Sequence, residues 1–129
     1  MVIRPLFFVA AGGALGAVAR YLLSSAVHSL WPMRFPLATL GVNLIGSFLI
    51  GFLYVLIAER GVLHPDWRSV AMVGFLGAFT TFSTFSLEAV TLLEHGLGAQ
   101  ALGYVVASVG LCIGAAWAAI IMARLIWTV

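Results

Sequence analysis

Four long apolar stretches, separated by short joints that contain turn residues, make up almost all of this chain. They predict helices at about residues 5–27, 36–58, 69–95 and 99–126. Each stretch is long enough for the roughly 20 helical residues that cross a hydrocarbon core of about 30 Å. Proline or glycine occurs in every joint, as in Trp31-Pro32, Glu59-Arg60-Gly61 and His95-Gly96. We therefore expect one all-α domain, residues 1–129, with four transmembrane helices.

Composition supports an integral membrane protein. Hydrophobic residues make up 64% of the chain and charged residues 8%, with a mean hydropathy of +1.18. Arg4, the apolar run after it and Ala17-Val18-Ala19 resemble a signal peptide with its cleavage site. The apolar run continues past this site, however, which favours a permanent first span. The single cysteine leaves no intrachain disulfide and makes a cysteine-based metal site improbable.

The third predicted helix contains an unusual segment, residues 74–86, with five hydroxyl side chains and two glycines inside an apolar run. We expect this helix to be interrupted near residues 77–84. An interrupted helix leaves backbone groups without partners, which costs several kcal/mol per group in hydrocarbon. Such a break persists only where it is buried in protein or lines a polar path. The segment therefore predicts an ion-binding or permeation site.

Polar residues recur every four positions on two other helices, which places each set on one helical face. The sets are Thr39, Asn43 and Ser47 in the second helix, and Tyr104, Ser108 and Cys112 in the fourth. Either set alone is explained by interhelical hydrogen bonds. Together with the hydroxyl cluster of the third helix, they suggest neutral donors arranged around a small anion.

Two charged residues, Arg20 and Glu88, lie within the predicted spans and away from the membrane interfaces. Arg20 could extend toward the membrane surface, or it could attract anions in a vestibule. Glu88 could pair with a hydroxyl across an interface, or it could cap the second half of the broken helix. Phe82 and Phe85 stand three residues apart, so they face nearly the same way on a regular helix. They could pack in the core, or they could turn their positive ring edges toward an anion.

The motifs resemble those of the Fluc (CrcB) fluoride channels. The resemblance is carried by residues 12–21 (GGALGAVARY), 41–46 (GVNLIG) and 74–86 (GFLGAFTTFSTFS), in order and spacing across nearly the whole chain. The phrase TTFSTFS at residues 80–86 is its most specific part. The residues alone indicate only a small anion, and the resemblance supplies fluoride.

The resemblance implies an antiparallel, dual-topology homodimer with two fluoride pores in a bacterial inner membrane. It implies a structural Na⁺ at the dimer centre, held by the backbone carbonyls of Gly77 and Thr80. It also implies pore or vestibule roles for a set of side chains: Phe82, Phe85, Asn43, Ser83, Thr84, Tyr104, Ser108 and, in the vestibule, Arg20. The chain departs from the family at Ala78, where glycine is common, and at Cys112, a weaker donor than the serine of some relatives.

Other functions fit the sequence less well. A small multidrug-type cation transporter has four helices too, but proton-coupled export calls for an acidic residue, usually on the first helix, where this chain has Arg20. A membrane scaffold would not need hydroxyl stripes on three helices. An enzyme is the least consistent class, because no constellation of serine, histidine and acid or of metal ligands falls within one leaflet. We therefore expect passive fluoride export, which lowers fluoride toxicity.

Overall fold

The computed structural model describes residues 2–128, and that part of the chain is helical with no β-strand. Helix α1 spans Ile3–Leu30, α2 spans Leu37–Glu59, α3 covers residues 68–79, α4 spans Phe82–Glu94 and α5 spans Gly98–Ile126. Helices α3 and α4 are the two halves of one span. Each of the four resulting spans is long and apolar enough to cross a membrane. Gly61 and Gly96 adopt positive φ angles in the joints that follow α2 and α4.

The break in the third span is narrower than the sequence predicted. Gly77 is still helical, and only Thr80 and Thr81 have extended backbone angles, with ψ of 158° and 116°. The preceding segment, Arg68–Leu76, is a π-helix, which is wider than an α-helix and often occurs at functional sites. The irregular backbone of the third span thus lies between Arg68 and Thr81.

Glycines let α1 pack directly against α3. A Cβ atom added at Gly12 would overlap the carbonyl oxygen of Val70, and one at Gly16 would overlap the carbonyl oxygen of Phe75. Gly74 of α3 makes the reciprocal approach to the backbone of Val9. Such contacts hold helices together in lipid, where apolar surface gives little net drive for association. They also fix the height of α3, and hence of the break that follows it.

Glycines at helical spacing on α2 and α5 lie in two different environments. Gly51 of α2 lies against the backbone of Ala116 of α5, and Gly46 lies against the Thr80 side chain. Gly103, Gly110 and Gly114 of α5 have no atom of the described chain within 4 Å of an added Cβ. The α5 stripe therefore faces out of the subunit and does not pack within it.

Ion pairs tie together one end of the bundle. Arg124 near the end of α5 donates from Nε to Glu59 Oε2 at 2.9 Å. Arg4 at the start of α1 forms an ion pair with Asp66 in the joint before α3. The beginning of α1, the joint between α2 and α3 and the end of α5 thus lie on one side of the membrane. These pairs are half-exposed or exposed, so solvent screening leaves each of them a small contribution to stability.

Candidate functional site

The helix break is held open by the side chain of Asn43 on α2. The Asn43 Nδ2 group donates to the Thr81 carbonyl at 3.0 Å, and the Thr81 amide donates to Asn43 Oδ1 at 2.8 Å. One side-chain amide therefore satisfies both backbone groups of an extended residue. Thr81 also begins α4, because its hydroxyl accepts a hydrogen bond from the Thr84 amide at 3.2 Å. These bonds make an otherwise costly break stable.

Because of the same bonds, two backbone carbonyl groups lose the amide donors that they would have in a continuous helix. In a continuous helix the amide of Thr81 would donate to the carbonyl of Gly77, and the amide of Thr84 would donate to that of Thr80. Here those amides bond Asn43 and the Thr81 hydroxyl instead. Oxygen atoms of this type are suitable ligands for a hard cation such as Na⁺. These are the two carbonyls for which the family resemblance implies a Na⁺ site, and their chemistry fits such an ion.

A groove of about 430 Å³ opens beside the break, between α2, the α3–α4 junction and α5. Its lining includes the expected residues Asn43, Gly77, Thr80, Phe82, Phe85 and Ser108. Ser108 is 7% exposed, and its hydroxyl oxygen has no hydrogen-bond partner within residues 2–128. A buried hydroxyl left unpaired costs about 1–3 kcal/mol. Ser108 thus lines the groove and carries a buried hydroxyl that has no partner among the described residues.

The two phenylalanines contact each other but differ in burial. Their ring centroids are 5.4 Å apart and the ring planes are tilted by 52°. Phe85 is 8% exposed and packs on Tyr104, whereas Phe82 is 78% exposed. The sequence spacing suggested that both would face the same way. Instead Phe85 forms the wall of the groove, and Phe82 projects from the subunit at its edge.

Tyr104 does not line the groove with Ser108. It is fully buried, and its hydroxyl donates to Glu88 Oε2 at 2.7 Å, while the Thr39 hydroxyl donates to Glu88 Oε1 at 2.8 Å. Of the two roles considered for Glu88, pairing with hydroxyls is therefore the observed one. The pairing joins α2, α4 and α5 within one subunit. Thr81, and not Glu88, caps α4.

Arg20 and Thr84 line a separate cleft of about 370 Å³, together with Thr39 and Thr81. Thr81 borders both this cleft and the groove, so the residue that Asn43 holds in place stands between them. Arg20 is part-exposed in this cleft. Ser83 is exposed on α4, and its hydroxyl lies 3.5 Å from that of Thr81. It borders neither cavity.

Sequence analysis missed two features of the site. It did not assign Thr81 a function, although a threonine three residues before another polar residue is a recognisable start of a helix. It also did not identify Thr39 and Tyr104 as the partners of Glu88. Both polar stripes were recognised, but periodicity shows which residues share a face and not what that face meets.

The chain is similar to known proteins over most of its length. Residues 7–120 match the family model described as CrcB-like protein, Camphor Resistance (CrcB). A protein of Saccharophagus degradans is 54% identical over 117 residues, which cover 88% of this chain and 85% of the relative. One of Hahella chejuensis is 50% identical over 126 residues, 98% of this chain and 99% of the relative. Both relatives are named fluoride-specific ion channel FluC.

A third relative with the same name, from Stutzerimonas stutzeri, is 48% identical over 123 residues, 95% of this chain and 99% of the relative. The relatives are ion channels and not enzymes, as the sequence predicted. Together with the four apolar helices, they identify a multi-pass protein of the bacterial membrane. The family model spans the break, the groove and the Arg20 cleft. The resemblance found in the motifs is confirmed, and this chain belongs to the CrcB-like family.

Proposed function

We propose that this chain is the subunit of a channel through which fluoride leaves the cytoplasm passively, which lowers fluoride toxicity. Relatives about half identical to the chain are named fluoride-specific channels. The observation that carries the proposal is Ser108, a residue that lines a groove beside a stabilised helix break and whose buried hydroxyl has no partner among the described residues. Packing within one chain leaves that hydroxyl unsatisfied, whereas an anion held beside Ser108 would accept a hydrogen bond from it.

The groove has the chemistry that dehydrated fluoride requires. Transfer of a small ion into a low-dielectric medium costs on the order of 20 kcal/mol by the Born estimate, so donors must replace water at each step. Ser108 and the Nδ2 group of Asn43 supply neutral donors, which solvate an anion without retaining it as a fixed cation would. Phe82 and Phe85 add weakly positive ring edges.

The Arg20 cleft lies at one end of the proposed fluoride path. A part-exposed guanidinium there raises the local concentration of anions before they reach the groove. Thr84 lines this cleft, and Ser83 lies beside Thr81, so both provide hydroxyls near its passage into the groove. We assign Tyr104 a place at the end of the polar stripe that it forms with Ser108 and Cys112 on α5, next to Phe85. Its hydroxyl orients Glu88 and is not free to bind an ion.

Passive export needs no coupled proton. Helix α1 has no acidic residue between Ile3 and Leu30, which removes the feature expected of a multidrug-type cation transporter. A negative interior drives a monovalent anion outward by about 2.3 kcal/mol per 100 mV. The membrane potential alone is therefore sufficient to move fluoride out of the cell.

We further propose that two copies associate in antiparallel orientation, with two pores. The 78% exposure of Phe82 at the groove edge leaves one side of the ion path open in a single chain. A second copy related by a two-fold axis in the membrane plane would close it with its own Phe82. Such an interface uses the same surface on both chains and stops at two.

A structural Na⁺ at the centre of this dimer would give the Gly77 and Thr80 carbonyls, which lack their helical amide donors, a partner. Gly77 and Thr80 from both copies would provide four oxygen ligands on the two-fold axis. Na⁺ would neutralise these oxygen dipoles and hold the two breaks together. It would remain bound and would not be transported.

The first prediction concerns the two rings. Phe82→Ile and Phe85→Ile keep an apolar side chain but remove the ring edge. If each ring edge lowers the free-energy barrier to fluoride passage by about 1.4 kcal/mol, its removal should reduce fluoride efflux from proteoliposomes about tenfold. Phe48→Ile is the matched control, because Phe48 stacks on Phe52 and does not line the groove. Wild-type efflux from both groove variants, with the dimer intact, would show that these rings only pack.

The second prediction tests the cation. Protein purified and reconstituted with N-methylglucamine in place of sodium should lose thermal stability as a dimer and conduct less fluoride, and added Na⁺ should restore both. Stability measured by size-exclusion chromatography after heating, and efflux measured with a fluoride electrode, report the two effects separately. A sodium-free dimer as stable and active as the sodium-bound one would refute the bound ion.

The third prediction concerns orientation. One end of the bundle carries Arg4, Arg60, Arg68 and Arg124, and the other carries Arg34. That is a mild bias by the positive-inside rule, so a C-terminal reporter should be found on both sides of the membrane in comparable amounts. Several lysines added at the N-terminus should force one orientation and abolish efflux. The same lysines added in the joint between α1 and α2 should favour the opposite orientation.

A native chain with one orientation, or full activity in a lysine variant shown to have one orientation, would exclude the antiparallel dimer.

A further inference from the structure

Helix α2 holds the peptide group between Thr80 and Thr81 at two points. The Thr81 amide donates to Asn43 Oδ1 at 2.8 Å. The Thr80 side chain lies against Gly46, which follows Asn43 by three residues and therefore shares its face of α2. Gly46 is buried, and Gly46 and Thr80 both line the groove. One hydrogen bond and one close packing contact thus connect this peptide group to α2.

The Thr80 side chain is fixed by both atoms that branch from its Cβ. Its Oγ1 donates to the Leu76 carbonyl at 2.8 Å. Its methyl carbon, Cγ2, occupies the space that a side chain at Gly46 would need, because a Cβ atom added at Gly46 would lie 2.1 Å from it. Carbon atoms in contact are normally about 3.5–4.0 Å apart. The Thr80 methyl can therefore adopt this position only because residue 46 has no side chain.

The position of this peptide group sets the direction of the Thr80 carbonyl. In a planar trans peptide the C=O and N–H bonds point in opposite directions, and the described chain has no cis peptide bond. Because the Thr81 N–H points at Asn43 on α2, the Thr80 carbonyl points away from α2. A displacement of the Thr80 methyl would rotate the peptide group and move its oxygen.

We infer that Gly46 is a positioning residue for the cation site. Its missing side chain makes room for the Thr80 methyl and so fixes the direction of the Thr80 carbonyl oxygen. The inference rests on the proposed Na⁺ site and adds a residue that does not touch the ion. A hard cation is held by oxygen ligands at short, defined distances, so displacement of one pair of ligands weakens its binding.

The experiment combines Gly46→Ala with Thr80→Ser, which removes the Thr80 methyl and keeps a hydroxyl for the Leu76 carbonyl. Without that methyl, the nearest atoms to a Cβ added at Gly46 are Phe79 Cδ1 at 3.4 Å and Thr80 Cβ at 3.6 Å. These distances are close to ordinary contact. The added methyl of Gly46→Ala should therefore be tolerated in the Thr80→Ser background and not in the wild-type background.

The primary measurement is the heat stability of the purified dimer at increasing NaCl, with N-methylglucamine chloride keeping the ionic strength constant. The Na⁺ concentration at which stabilisation begins reports the apparent Na⁺ affinity. We expect Gly46→Ala to raise this concentration at least about tenfold in the wild-type background and less than about twofold in the Thr80→Ser background. Fluoride efflux at a fixed low Na⁺ concentration should follow the same pattern.

Two other glycines of α2 provide matched controls. A Cβ atom added at Gly51 would lie 2.4 Å from the carbonyl oxygen of Ala116 on α5. Gly51→Ala should therefore lower heat stability at every Na⁺ concentration without changing the apparent Na⁺ affinity, and Thr80→Ser should not rescue it. No atom of the described chain lies within 4 Å of a Cβ added at Gly41, so Gly41→Ala should respond to Na⁺ as the wild type does.

Three results would overturn the inference. They are wild-type Na⁺ dependence in Gly46→Ala, an equal shift in both backgrounds, and rescue of Gly51→Ala by Thr80→Ser. If Gly46→Ala alone forms no dimer, formation of a dimer by the double variant supports the inference, and its failure to form one overturns it. A wild-type dimer whose heat stability does not depend on Na⁺ would instead refute the proposed cation site itself.

Discussion

The paired hydrogen bonds between the Asn43 side chain and the Thr81 backbone are the interaction on which the rest of the site depends. They supply a donor and an acceptor to a residue that has left the helix, at 3.0 and 2.8 Å. Without them, both backbone groups would be unsatisfied in the membrane interior, at a cost of several kcal/mol each. Their presence takes the Thr81 amide away from the Gly77 carbonyl and keeps Thr81 between the Arg20 cleft and the groove.

Backbone packing supports this interaction from both sides. Gly12 and Gly16 bring α1 against α3, and Gly46 gives the Thr80 side chain space beside α2. These contacts set the height and lateral position of the break relative to Asn43. Further along α4, Glu88 bonds Thr39 of α2 and Tyr104 of α5. The helices that border the groove are therefore tied together by fixed contacts, while Phe82 and the α5 glycines face outward.

The sequence predicts much of this architecture because many of its determinants are local. Hydropathy alone identifies four spans, and α1 at Ile3–Leu30 extends only a few residues beyond the predicted 5–27. The break was predicted in the correct segment, but too wide, because Gly77 was expected to leave the helix and does not. Glycine permits irregular backbone without requiring it.

The interhelical pairings could not be predicted in the same way. Asn43 and Thr81 are 38 residues apart, and Thr39 and Glu88 are 49 apart. No periodicity within one helix encodes such a partner. The hydroxyl stripes indicated which residues can form interhelical hydrogen bonds. The packing of the bundle decides which of them have a hydrogen-bond partner in the protein. In one stripe Tyr104 bonds Glu88 while the buried Ser108 hydroxyl has no partner among the described residues, and this distinction is visible only in three dimensions.

The most direct test of the account is fluoride flux through the wild-type protein with no proton gradient. Purified protein is reconstituted into liposomes loaded with fluoride, pH is equal on both sides, and valinomycin with a potassium gradient sets the voltage. The account predicts rapid efflux, measured with a fluoride electrode, that increases as the interior becomes more negative. Efflux that requires an imposed proton gradient, or that does not exceed that of protein-free liposomes, would contradict it.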